Sequence, residues 1–172
     1  MTSPLRLMRV PAAFDELLIL EGEPKAASEA VSGWAESGLV VRVLRGRKMR
    51  TMPALFDEVA AALQFPWYFG ENADAFDECI VDLGWLSPQS GYVLVIMDPA
   101  EVLADAGADQ LCWFVDSLTR ACEEWARPVE QGEWWDRPAV PFHAVLHAVS
   151  GEAVTVTQRW SGAGASVKPF GD

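Results

Sequence analysis

Three carboxylates, Asp74, Asp77 and Glu78, stand at i, i+3 and i+4 within FPWYFGENADAFDECI, the stretch from Phe65 to Ile80. On a helix that spacing gathers them on one face within about one turn. Acids so placed suit three kinds of chemistry: moving protons, holding a divalent cation, or meeting a positively charged partner. The stretch carries no cation of its own. Just before the acids come Trp67, Tyr68 and Phe69. Such rings cannot all turn inward from so short a loop, and aromatic anchors beside charged groups are the usual make-up of binding hot spots.

Proton transfer and metal chemistry fit poorly. The acids crowd one turn and face solvent, with no pocket implied. No nucleophile motif, glycine-rich phosphate loop or zinc spacing occurs in the chain. His143 and His147 are four apart, but in a predicted strand, where they share a face some distance apart. Structural or surface roles are expected of them. The expectation is no cofactor, no metal and no enzyme. A protein partner remains.

The acids need a helix to hold them. Asn72 is a good N-cap, because its side chain can accept a backbone N–H from the first turn. Phe76, Cys79, Ile80 and Leu83 then fall at helical spacing and form a core-facing stripe, predicting a helix from about Ala73 to Trp85. The helix dipole favours acids near its start by roughly 0.3–1 kcal/mol each. Repulsion between neighbouring acids costs a few tenths of a kcal/mol, so the helix survives with its charge uncompensated. Pro66 stiffens the preceding loop, and Gly70 permits close backbone approach.

Around this helix the periodicity predicts an α/β fold. LVVRVL (Leu39 to Leu44), GYVLVIMD (Gly91 to Asp98) and FHAVLHAV (Phe142 to Val149) read as strands. Helices are expected over Met52 to Phe65, DPAEVLADAG and ADQLCWFVDSLTRACEEWA. Strands separated by helices imply a small parallel β-sheet of three core strands covered by helices. The chain divides into an N-terminal extension, 1–38, with a possible strand and helix, a central domain, 39–149, and a loose C-terminal tail, 150–172. The loop containing GEWWDRP fits a lid, a second contact or a surface that sticks only in a crystal, and the sequence does not decide between them.

Composition agrees with a folded protein: 172 residues, 51% hydrophobic and 22% charged. No apolar run is long enough for a membrane span, and no signal-peptide pattern opens the chain, so a cytoplasmic location is expected. Three cysteines without a C-x-x-C pair read as reduced core thiols. Net charge is −12, and from Thr51 to Thr119 there are twelve acids and no Lys or Arg. Such a field repels nucleic acid and steers cationic partners. The basic run Arg42, Arg45, Arg47, Lys48 and Arg50 is expected to be a solvated turn that pairs with acids.

The stretch also resembles the signature of the barstar family, intracellular inhibitors of secreted ribonucleases, at Pro66, Tyr68, Phe69, Gly70, Glu71, Asn72, Asp74, Ala75 and Cys79. The resemblance covers about Leu39 to Val149 and implies the family's α/β fold. It implies a one-to-one complex with a secreted or toxin ribonuclease, with no nucleic acid, membrane or cofactor involved. Carried over, Tyr68 lies against the nuclease, Gly70 and Asp74 are contacts of the first turn, and Glu78 stands where the family's central Asp enters the active site. Asp77 stands where the family often has Trp, and the family's later acidic contact falls near Asp116 or Ser117. The binding surface implied is Trp67, Tyr68, Phe69, Gly70 and Asn72 with Asp74, Asp77 and Glu78. The alternative is an acidic protein-interaction module with a non-nuclease partner.

Overall fold

A computed structural model describes residues 3–171. It forms a five-stranded, all-parallel sheet flanked by helices. In chain order the elements are β1 (Glu16–Glu21), α1 (Pro24–Glu36), β2 (Leu39–Arg45), α2 (Met52–Leu63), α3 (Ala73–Ile80), β3 (Gly91–Met97), α4 (Ala108–Ala126), β4 (Phe142–Ala148), α5 (Ala153–Gly162) and β5 (Ser166–Pro169). Across the sheet they run β2-β3-β4-β1-β5. The three expected core strands are β2, β3 and β4, adjacent and in that order.

Burial explains why β3 and β4 are apolar along their whole length. Both are inner strands covered on two faces, so neither can alternate with polar residues. The larger core packs α2, α3, α4 and α5 on one side of the sheet, around Phe76, Tyr92, Phe114 and Trp160. The smaller core lies on the other side, where Trp34 of α1 and Leu7 meet Val93, Val95 and Val145.

Three local expectations are corrected. The C-terminal stretch expected as a loose tail folds into α5 and β5, and β5 pairs with β1. Trp160 holds it there, buried, with its indole N–H on the Pro99 carbonyl at 3.1 Å. DPAEVLADAG forms turns rather than a helix. Asp98 and Leu103 are left-handed (φ 48° and 54°), and the amides of Leu103 and Asp105 bond to Met49 and Arg50 carbonyls at 2.7 and 3.0 Å. Those bonds take the donors a helix would need. The helix expected to reach Trp85 stops at Ile80. There the Trp125 indole N–H takes the Ile80 carbonyl at 3.1 Å, and the Tyr92 hydroxyl takes that of Leu83 at 2.9 Å.

Three of the five cations of the basic run, Arg45, Arg47 and Arg50, pair with acids of the chain. Arg45 donates from its backbone N (3.0 Å), Nε (2.7 Å) and Nη2 (2.7 Å) to the nearly buried Glu58 carboxylate of α2. Those hydrogen bonds hold the Glu58 carboxyl below its usual range although burial pushes the other way. Arg47 pairs with Asp98, and Arg50 with Glu101 and Asp105. None of these acids belongs to the α3 face.

His143 and His147 share one face of β4, both buried, and each contacts a backbone carbonyl through Nε2 at 2.8 Å: that of Arg9 for His143 and of Gly22 for His147. They are structural ties to the N-terminal segment. Burial lowers the His143 imidazole pKa, outweighing the upward pull of the Arg9 carbonyl and Glu16. The neutral ring is therefore favoured in the fold, while the unfolded chain takes up a proton below about pH 6.5. Stability is complete above that pH and declines beneath it. Thermal melts should show Tm level from pH 8 to 7 and falling from pH 6.5 to 5.5. His143→Gln, which keeps a donor for Arg9, should flatten that fall. An equally steep fall in the variant would assign the effect to another group.

Candidate functional site

The loop between α2 and α3 is built around one anchored ring. Gln64 ends α2 in a left-handed conformation (φ 54°), and Pro66 follows. The Phe69 amide closes a turn onto the Pro66 carbonyl at 2.9 Å. Phe69 then packs edge-on against Phe65 and Phe56, with centroids 5.1 and 6.0 Å away. This inward ring leaves Trp67 and Tyr68 outside, 95% and 70% exposed, packed edge-to-face on each other at 5.8 Å. Two large rings held in water by a turned loop form a surface that gains by being covered.

Gly70 and Asn72 fix how the loop enters α3. Asn72 caps the helix by accepting the Ala75 amide at 2.9 Å, and its Nδ2 donates to the Gly70 carbonyl at 3.1 Å. A Cβ on Gly70 would lie 2.9 Å from that Nδ2, so a side chain there would disturb the cap. Glu71 between them is left-handed (φ 49°) and exposed.

On α3 the two faces separate as the spacing predicts. Phe76 and Ile80 are buried, and Asp74 and Glu78 are exposed. Among the described residues neither Asp74 nor Glu78 has an ion pair. Asp82, two residues past the end of α3, is also exposed and unpaired among the described residues. Cys79 sits half-buried between the faces. Burial, aided by Asp82 and Glu78, pushes its thiol pKa up, which keeps it protonated and unreactive.

Asp77 differs. Its carboxylate turns aside to pair with Arg120 of α4, and its side chain is only 20% exposed. Its Oδ1 is buried and has no hydrogen-bond partner. The sequence offers little sign of this neutralisation, because Arg120 lies 43 positions further on. Its one cue is that Arg120 is the first cation after the acidic stretch. Of the two later candidates, Asp116 is exposed on α4, whereas Ser117 is fully buried and out of reach of a partner.

The free negative surface is therefore Asp74 and Glu78, extended by Asp82, with Asp77 compensated. Asp77→Asn should change the affinity for any partner on this face by less than about threefold, since an already neutralised charge adds little steering. Surface plasmon resonance on the purified variant would check this. A loss above tenfold would place Asp77 itself in the contact.

Three comparisons bear on this arrangement. The protein-family model described as Barstar (barnase inhibitor) matches residues 39–147, from the first residue of β2 to His147 of β4. No curated protein matches the chain. Among solved structures, the ORC2 protein of Aeropyrum pernix, in its ADPNP–ADP complexes, superposes with a TM-score of 0.58 at 12% identity, over 96% of this chain and 44% of that one. Cdc6p of Pyrobaculum aerophilum gives a TM-score of 0.47 at 16% identity, over 90% and 38% of the two chains. This chain thus spans less than half the length of either, and at such identity the ORC2 likeness is one of fold alone. The β1–α1 turn here reads Glu21-Gly22-Glu23-Pro24, two acids where a phosphate-binding loop would need glycines and a lysine.

Proposed function

Because this chain belongs to the barstar family, we propose that it binds a secreted or toxin ribonuclease one-to-one and inhibits it by covering the active site. A ribonuclease cleft is cationic because it must hold phosphates. Asp74 and Glu78 present carboxylates on a short rigid helix and can occupy those phosphate positions without offering a bond to cleave. Trp67 and Tyr68 lie beside them, ready to be buried against the rim of the cleft. Opposite potentials speed the encounter, and paired charges with covered rings hold the complex. The reading requires no cofactor and no turnover by this chain.

One observation carries the proposal: two exposed acids, unpaired among the described residues, project from α3 just after two exposed rings, while the opposite face of the helix is buried. The test is a titration of guanyl-specific ribonucleases with the full chain, reading RNA cleavage. Stoichiometric loss of cleavage, complete at one equivalent, supports inhibition. Salt-sensitive binding that leaves cleavage intact would instead support an acidic interaction module with a different target.

A further inference from the structure

At the C-terminal end of α3 the surface opens into a pocket of about 740 Å³, lined among others by Asp82, Tyr92, Trp125, Trp134, Trp135 and Arg137. Its rim is unusual for a surface loop. Trp134 is 89% exposed and stands edge-to-face with Trp135 at 5.4 Å. Asp136 pins this loop by accepting the amides of Gln131 and Gly132 at 2.9 and 2.7 Å. The rings are therefore held in water by a fixed turn.

The one cation in the pocket lining is already engaged. The Arg137 guanidinium lies 4.5 Å over the Trp125 ring and donates to the carbonyls of Glu124, Trp125, Arg127 and Pro138. It closes the C-terminal end of α4, where helix carbonyls lack amide partners. Among the described residues neither Trp134 nor Trp135 has a cation over its ring. Asp82, on the same rim, is exposed and unpaired among the described residues.

We propose that this pocket takes an arginine side chain from the protein that docks on α3, stacked on the exposed face of Trp134 and paired with Asp82. This rests on the protein-binding reading above. Indole faces attract cations, guanidinium most often, and a carboxylate matches the guanidinium fork. Asp74 and Glu78 lie on α3, and Asp82 follows two residues beyond its C-terminal end, on the rim of this pocket.

The experiment needs no ribonuclease, so its failure is separable from failure of the inhibition reading. Indole N–H resonances of the full chain are followed by NMR during titration with acetyl-Gly-Arg-Gly-amide, then with the neutral citrulline analogue. Saturable shifts at Trp134 and Trp135 are expected with the arginine peptide. Binding should be at least threefold weaker to Asp82→Asn and lost in Trp134→Ala, whose exposed ring the fold does not need. The inference is overturned by absence of saturation, by equal response to citrulline, or by shifts confined to Trp67. If the peptide binds as expected but no ribonuclease is inhibited, the pocket stands and the inhibitor reading falls.

Discussion

Replacing Asp74 or Glu78 by alanine is expected to weaken ribonuclease binding by more than about 2 kcal/mol each, a loss of about 30-fold. Both acids are exposed and free of ion pairs among the described residues, so neither loses an internal contact on substitution. The fold should be unaffected, apart from the small loss of an acid near the helix start at Asp74. Binding, in contrast, leaves a cationic cleft with an unanswered charge, and truncating one member of a desolvated pair costs more than the pair contributes. Asp74→Asn and Glu78→Gln should lose nearly as much as the alanine variants, because the charge and not the volume is at issue. Asp77→Asn serves as the internal control, since Arg120 already compensates that group. Calorimetry at two salt concentrations would decide the matter. Near-neutral values for both Asp74 and Glu78, with unchanged circular dichroism, would remove this face from the interface.

The contrast between Asp77 and its neighbours shows what a linear reading reaches. The α3 pattern is local, so the cap, the buried stripe and the exposed acids all follow from spacing within twelve residues, Asn72 to Leu83. Phe69 inward with Trp67 and Tyr68 outward was anticipated in kind, because a short loop cannot bury three rings. The pairing of Asp77 with Arg120 is a tertiary event between α3 and α4, and no periodicity encodes it. The same limit hid Trp125 and Tyr92, whose side chains take the carbonyls of Ile80, the last residue of α3, and of Leu83 just beyond it. It also hid β5, whose four residues SVKP carry one strongly β-prone residue and become a strand only because β1 offers a free edge. The three inner strands were legible because full burial demands unbroken apolar runs.

The largest effect on stability should come from the hidden side of the same helix. Phe76→Ala is expected to destabilise the fold by about 3–5 kcal/mol, the usual range for emptying a buried aromatic site. Phe76 is fully buried and meets Trp113 at 5.3 Å, Phe56 and Phe65 at 5.9 Å, and Phe114 at 6.2 Å. Four rings from two helices and a loop converge on it, so no single neighbour can move to fill the space. The helix itself has eight residues, too few to persist in water alone. It is held by its Asn72 cap, by Phe76 and Ile80 beneath, and by the indole of Trp125 at its end. Losing Phe76 should therefore also loosen the platform that carries Asp74 and Glu78. In a variant still folded at 10 °C, ribonuclease affinity should fall although Phe76 reaches no partner. Phe76→Leu, which keeps most of the volume, should recover most of both losses. Urea unfolding with calorimetry on the same samples provides the check. A cost below about 1 kcal/mol, or lost stability with full affinity, would mean that the acids are positioned by something other than the packing of α3 on this ring cluster.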